Sequence, residues 1–153
     1  DVEANSDEEV KQNWEKIKLK EDNKGVLSGV PASLPPLVKA YRMQEKAAGV
    51  GFDWQHINGV VQKIEEELRE FYLEVNQKNQ NRAKDEFGDL LFSLVNYARF
   101  MGINPDDALS NANQKFRKRF VKMESKISDR QIDMSQLDLD KWEKLWQEVK
   151  SEN

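Results

Sequence analysis

The chain contains no cysteine and a single histidine, His56. Disulfides and thiolate metal centres are therefore excluded. One imidazole also rules out a histidine-rich metal site and the Glu-x-x-His turns of a di-iron bundle. No glycine-rich phosphate loop or nucleophile elbow occurs. No apolar run approaches the roughly 18 to 20 residues that cross a bilayer, so no membrane is expected as partner. No signal peptide is visible, and a reducing cytoplasm is the expected compartment. Neither charge sign dominates: 24 Lys and Arg against 28 Asp and Glu leave a net charge of −4. Without a stretch rich in Lys and Arg, nucleic acid is not expected as the main partner. The length of 153 residues suits one helical domain with a real core rather than two. Because it begins at Asp1 rather than methionine, the chain is expected to be a fragment of a longer protein.

What is present is helical periodicity. Ser6-Asp7-Glu8-Glu9 reads as a capping box, with Ser6 and Glu9 satisfying early backbone donors reciprocally. Val10, Trp14 and Ile17 follow as an apolar stripe, so a first helix is expected to about Glu21. Asn23 to Pro31 reads as a flexible connector. Residues 1–32 thus form an N-terminal helix and linker ahead of a main domain over 33–153. Ser33-Leu34-Pro35-Pro36 opens the next helix, with Leu37, Ala40, Tyr41 and Ala47 facing inward. Gly49 to Phe52 breaks it, and Asp53 is the expected cap of its successor. There Val60, Val61, Ile64, Leu68, Phe71, Tyr72 and Val75 fill one arc.

After a polar turn from Asn76 to Asn81, the segment from Arg82 to about Met101 is apolar nearly all round. That is the pattern of a buried helix. Asn104-Pro105-Asp106-Asp107 starts another, with a cap residue, an early proline and acids at the positive dipole end. Its buried side carries Leu109, Ala112, Phe116, Phe120 and Met123. Beyond a polar stretch from Ser125 to Gln136, a last helix carries Leu139, Trp142, Leu145, Trp146 and Val149. No strand-like alternation competes, and the expected fold class is all-α.

Two acidic turns stand out. Glu67-x-x-Glu70 and Glu86-x-x-Asp89 are each spaced i, i+3, which puts two carboxylates on one face of each helix. If the two helices pack antiparallel, four carboxylates converge. A hard divalent cation relieves their repulsion, and Mg²⁺ binds through carboxylate and water oxygens. On a helical wheel Glu67 and Glu74 fall at the edge of the apolar arc, with Glu70 beside them, Glu65 on the other edge and Glu66 further toward solvent. In the following helix Glu86, Asp89, Ser93 and Asn96 form a polar stripe through an otherwise apolar segment. Burying that stripe unpaired is costly, so it needs a cation, hydrogen-bond partners or a water-filled cleft. The combination points to a metal-dependent enzyme acting on phosphates. The bland alternative, for Glu66, Glu67 and Glu70 alone, is a solvated acidic face.

The cations are open to two readings. Lys63 and Arg82 each lie four residues before an acid, Glu67 and Glu86. An i, i+4 salt bridge accounts for this, yet acid before base is the stronger order. Positioning for an anionic substrate accounts for it equally well. Lys115 and Arg119 are again i, i+4, with Lys122 on the same side. They form either a solvated basic face or a phosphate site in which the guanidinium fork binds two oxygens. Trp142 and Trp146 read, on spacing, as core or lid residues before base-stacking platforms. His56 reads as a helix-start or surface residue.

A family resemblance runs through these residues. Leu34-Pro35-Pro36-Leu37-Val38-Lys39-Ala40-Tyr41-Arg42-Met43-Gln44-Glu45-Lys46-Ala47, then Val50-Gly51-Phe52-Asp53-Trp54, closely resembles MazG nucleoside triphosphate pyrophosphohydrolases. So do Glu66-Glu67-x-x-Glu70, Glu86-x-x-Asp89, and Asn111-Ala112-Asn113-Gln114-Lys115-Phe116 with Arg119-Phe120. The likeness extends from about Trp14 to Lys150 and is to the C-terminal copy of a two-domain chain. It implies an all-α bundle completed by dimerisation or a higher homo-oligomer. It also implies Mg²⁺-dependent hydrolysis of a nucleoside triphosphate, ATP among them, to monophosphate and pyrophosphate, with Mn²⁺ as the alternative ion. By the same resemblance Glu67, Glu70, Glu86 and Asp89 hold the metal, Glu66 joins the catalytic set, Lys63, Arg82, Lys115 and Arg119 contact the triphosphate, and Trp146 lies near the nucleotide. Narrower substrates, as in the dUTP and phosphoribosyl-ATP pyrophosphohydrolases, are one alternative; a non-catalytic helical module is another.

Overall fold

The computed structural model describes residues 7–22 and 25–152, so Ser6 of the expected capping box and Asn23 of the connector lie outside it. It is all-α, as expected, with no strand among the described residues. The helices are α1 (Asp7–Asp22), α2 (Pro36–Gly49), α3 (Ile57–Asn76), α4 (Gln80–Phe100), α5 (Pro105–Asp129) and α6 (Leu139–Ser151), with a 3-10 turn at Met134–Gln136. They fall into two compact units, Asp1–Asp106 and Asp107–Asn153. Among the described residues no helix is long and apolar enough to cross a membrane.

The first unit is a bundle built on the α3–α4 hairpin. Only Gln77, Lys78 and Asn79 separate these helices, so they run antiparallel against each other. Lys78 takes a left-handed φ of 57°, which turns the chain sharply. Asn79 then donates its N–H to Glu74 O at 3.0 Å and caps α4, its Oδ1 accepting from Arg82 N at 3.3 Å. That cap starts α4 at Gln80, two residues earlier than the apolar pattern suggests. Helix α2 packs on α4, where Gln44 Nε2 donates to Phe92 O at 3.0 Å. Helix α1 packs on α2, with Lys46 Nζ 3.2 Å from Glu15 Oε1.

Two expectations are corrected here. Asp53 does not cap α3, which starts four residues later with the exposed His56 at the cap position. Asp53 instead receives both terminal nitrogens of Arg99, at 3.0 and 2.5 Å. The hairpin is also buried on fewer sides than its apolar residues suggest. Val60, Ala83, Leu90 and Val95 are core, whereas Leu68, Tyr72, Val75, Phe87, Leu91, Phe92 and Leu94 are exposed. Within this unit α3 and α2 pack on α4, and together they leave part of a helix that is apolar around most of its circumference uncovered.

In the second unit Met123 and Ile127 of α5 meet Leu145 and Val149 of α6, with Phe120, Leu137, Trp142 and Trp146 packed around them. Both tryptophans therefore have the core role read from their spacing. Phe120 and Trp142 stack with ring centres 6.0 Å apart. Helix α5 continues through the expected polar stretch to Asp129 because Ile127, one turn after Met123, prolongs the buried stripe. Leu139 belongs to no core: at the first position of α6 it is 83% exposed.

Candidate metal and phosphate site

The hairpin geometry brings the acids together. Glu70 stands six residues before Asn76, the end of α3, and Glu86 six residues after Gln80, the start of α4. Equal distances from a tight antiparallel turn set two side chains opposite each other. Glu67, one turn before Glu70, joins them, and carboxylate oxygens of Glu67, Glu70 and Glu86 lie within 4.8 Å of one another. Glu67 is 4% exposed, so a formal charge sits in the interior of the unit. Its Oε1 accepts from Lys63 Nζ at 2.7 Å, while its Oε2 is buried with no donor facing it.

The electrostatics follow from this crowding. Partial burial, then the Glu67 and Glu70 carboxyls, push the Glu86 pKa up to about 7. The hydrogen bond to Glu67 holds the Lys63 proton more tightly than usual, helped by the 3.3 Å contact to Glu66. Three crowded carboxylates with a buried oxygen that lacks a hydrogen-bond partner fit a hard divalent cation, whose ligands are oxygens. Glu67, Glu70 and Glu86 are the residues that could hold it.

The other residues read from the sequence take different places. Glu66 lies outside the three-carboxylate group, half exposed beside Lys63. Asp89 is exposed and also outside that group; its backbone oxygen accepts from the buried Ser93 hydroxyl at 3.0 Å. Arg82 is largely exposed, and its ion pair, at 3.9 Å, is with Glu74 rather than Glu86. In the second unit, Lys115 is exposed. The Arg119 guanidinium lies 5.5 Å from the Trp146 ring centre, and its Nε is buried without a partner.

Beside the cluster the first unit has an open cavity of about 780 Å³. Lys63 contributes to its wall, together with Gln44, Phe52, Trp54, Phe92 and Asn96. Sequence reasoning passed over Gln44 and the Arg99–Asp53 pair. The available signal was a glutamine four residues after Ala40 on the inner face of α2, and an arginine in a helix that reads as apolar nearly all round. Gly59 shapes the same wall, since a Cβ there would stand 2.8 Å from the Trp54 ring.

Comparison with known proteins places this hairpin in context. Residues 55–123 match the MazG nucleotide pyrophosphohydrolase domain, a span holding all three clustered carboxylates. The chain is 40% identical to the nucleoside triphosphate pyrophosphohydrolase of Escherichia coli (strain K12), over 98% of this chain and 59% of the relative. It is also 40% identical to the Thermotoga maritima nucleoside triphosphate pyrophosphohydrolase/pyrophosphatase MazG, over 90% of this chain and 54% of the relative. The Bacillus subtilis protein YabN, whose function is uncharacterized, is 42% identical over 98% of this chain and 32% of its own length. The chain thus spans little more than half the length of the pyrophosphohydrolases it matches.

Proposed function

We propose that the chain, whose residues 55–123 match the MazG nucleotide pyrophosphohydrolase domain, hydrolyses nucleoside triphosphates to nucleoside monophosphate and pyrophosphate. The observation that carries this reading is the buried Glu67 oxygen without a donor, set among Glu70 and Glu86 inside the family-matched hairpin. Glu67, Glu70 and Glu86 would hold Mg²⁺, or Mn²⁺ in its stead, which when bound would supply Lewis-acid polarisation of a phosphoryl oxygen and acidify water.

The chain's own groups do the rest. Lys63 neutralises charge between the cluster and the incoming phosphates. Glu66, half exposed and held by Lys63, orients the attacking water toward the α-phosphorus. A P–O bond forms there, the α–β bridging P–O bond breaks, and pyrophosphate leaves with the bridging oxygen. The water's proton passes to a carboxylate and then to solvent. Arg82 neutralises charge on the leaving group, and it is the family resemblance alone that assigns Lys115, Arg119 and Trp146 to the nucleotide. Asp89 completes the ligand set. A homodimer or higher homo-oligomer covers the exposed apolar residues of α4, and a cytoplasmic role in clearing or regulating nucleotides follows from the activity.

Phosphorus NMR of the products tests this, using all common NTPs and dNTPs and phosphoribosyl-ATP, with Mg²⁺ and with excess chelator. Monophosphate plus pyrophosphate, formed only with the metal, is expected. Diphosphate plus phosphate would overturn the reaction class. Turnover confined to dUTP or phosphoribosyl-ATP would narrow the substrate.

A further inference from the structure

The α3–α4 hairpin pairs its side chains in layers. Glu70 and Glu86 are each six residues from the turn, and Glu74 and Arg82 are each two residues from it. Glu74 follows Glu70 by four residues, and Arg82 precedes Glu86 by four. The Glu74–Arg82 layer therefore stands about 6 Å along the helix axes from the Glu70–Glu86 layer. Glu74 itself lies outside the three-carboxylate group. Its side chain is nonetheless only 17% exposed, and its Oε2 is buried with no hydrogen-bond partner. Its Oε1 lies 3.9 Å from Arg82 Nη1, close for opposite charges but too long for a hydrogen bond. A carboxylate desolvated this far without a close partner is costly to the fold, which calls for a reason.

Arg82 supplies one. Its backbone is fixed by the same turn as Glu74: Asn79 Oδ1 accepts from Arg82 N at 3.3 Å, and Asn79 N donates to Glu74 O at 3.0 Å. Its side chain, by contrast, is 71% exposed. A guanidinium has more than one donor edge, so it can face an acid with one and an anion with another. We propose that Glu74 is a positioning residue, which holds one edge of the Arg82 guanidinium and turns another toward phosphate at the neighbouring carboxylate cluster. The rotamer freedom that a solvated arginine loses on binding is then already reduced in the free protein. That the phosphate is the leaving pyrophosphate rests on the pyrophosphohydrolase reading.

The test is calorimetric titration of pyrophosphate, with Mg²⁺ present, into the full chain and the Glu74→Gln, Arg82→Met and double variants. The wild type should bind saturably. Arg82→Met should weaken binding about tenfold or more, the scale of a hydrogen bond to a charged group. Glu74→Gln should weaken it about threefold to tenfold, and should add nothing when Arg82 is already Met. The sign is diagnostic, because removing an acid beside an anion site would, on charge alone, tighten binding. Glu74→Asp keeps the charge but shortens the reach, so it should weaken binding less than Glu74→Gln and serves if that variant misfolds. No binding of pyrophosphate to the wild type would overturn the proposal. So would unchanged or tighter binding in Glu74→Gln, or an equal loss in the Arg82→Met background. Loss of Mg²⁺ binding itself in Glu74→Gln would also overturn it, making Glu74 a ligand. The predicted pattern without cleavage of any triphosphate would retain the positioning role and remove the hydrolase reading. Cleavage of triphosphates with pyrophosphate binding indifferent to Glu74→Gln would do the reverse.

Discussion

Lys63 Nζ lies 2.7 Å from Glu67 Oε1, a lysine 38% exposed holding a carboxylate 5% exposed. The pair resolves the order that looked unfavourable in sequence, base before acid. A salt bridge does form, and it serves a buried charge. Lys63→Met should therefore destabilise the metal-free protein by about 1–2 kcal/mol, a modest figure because Lys63 is itself more than a third exposed. Urea unfolding with and without saturating Mg²⁺ checks this. The loss should shrink with the ion present, since the cation then neutralises Glu67.

The acid cluster makes stability depend on pH. The Glu86 pKa is raised from 4.5 to about 7 in the folded chain, so the folded state binds more protons than the unfolded state between these values. Stability of the metal-free protein should fall as pH rises through that window. Melting temperatures from pH 4 to pH 8 should show the decline, and Glu86→Gln should flatten it.

Arg119 and Trp146 form a cation–π contact inside the second unit, with a guanidinium Nε left buried and unpaired. Arg119→Lys keeps the charge but loses the planar fork. It should cost no more than about 1 kcal/mol of stability while raising KM for the nucleotide well above the wild-type value. Unchanged KM would remove Arg119 from triphosphate binding.

Leu91 and Leu94 are exposed on a helix whose composition suits burial. If they face a second copy, Leu94→Asp should shift the protein to monomer in sedimentation experiments, with helical circular dichroism retained. A wild type that is already monomeric would contradict the oligomer.

The helices and the acid hairpin were legible because 3.6-residue periodicity is a local property. The wheel put Glu67 at the apolar edge, and it is buried there; Glu66 points outward as read. What stayed hidden depends on pairing between distant segments. Asp53 resembled a cap, but Arg99, 46 residues later, takes its carboxylate, and the helix starts at Ile57. Gln44 carries no local mark of its role, which comes from the Phe92 carbonyl 48 residues away. The exposure of α4 was equally invisible, since composition reports how much apolar surface a helix has and not how many neighbours cover it.

Calorimetric titration of Mn²⁺ and Mg²⁺ into the wild type, Glu67→Gln, Glu86→Gln and Asp89→Asn at pH 6.5 tests the central claim, that the hairpin carboxylates form a divalent-cation site. The wild type should bind saturably and release protons on binding. Glu67→Gln and Glu86→Gln should abolish binding, and Asp89→Asn should weaken it about 10- to 100-fold, as expected for a peripheral ligand. A wild type that binds no divalent ion, or variants that bind as tightly as it does, would contradict the account.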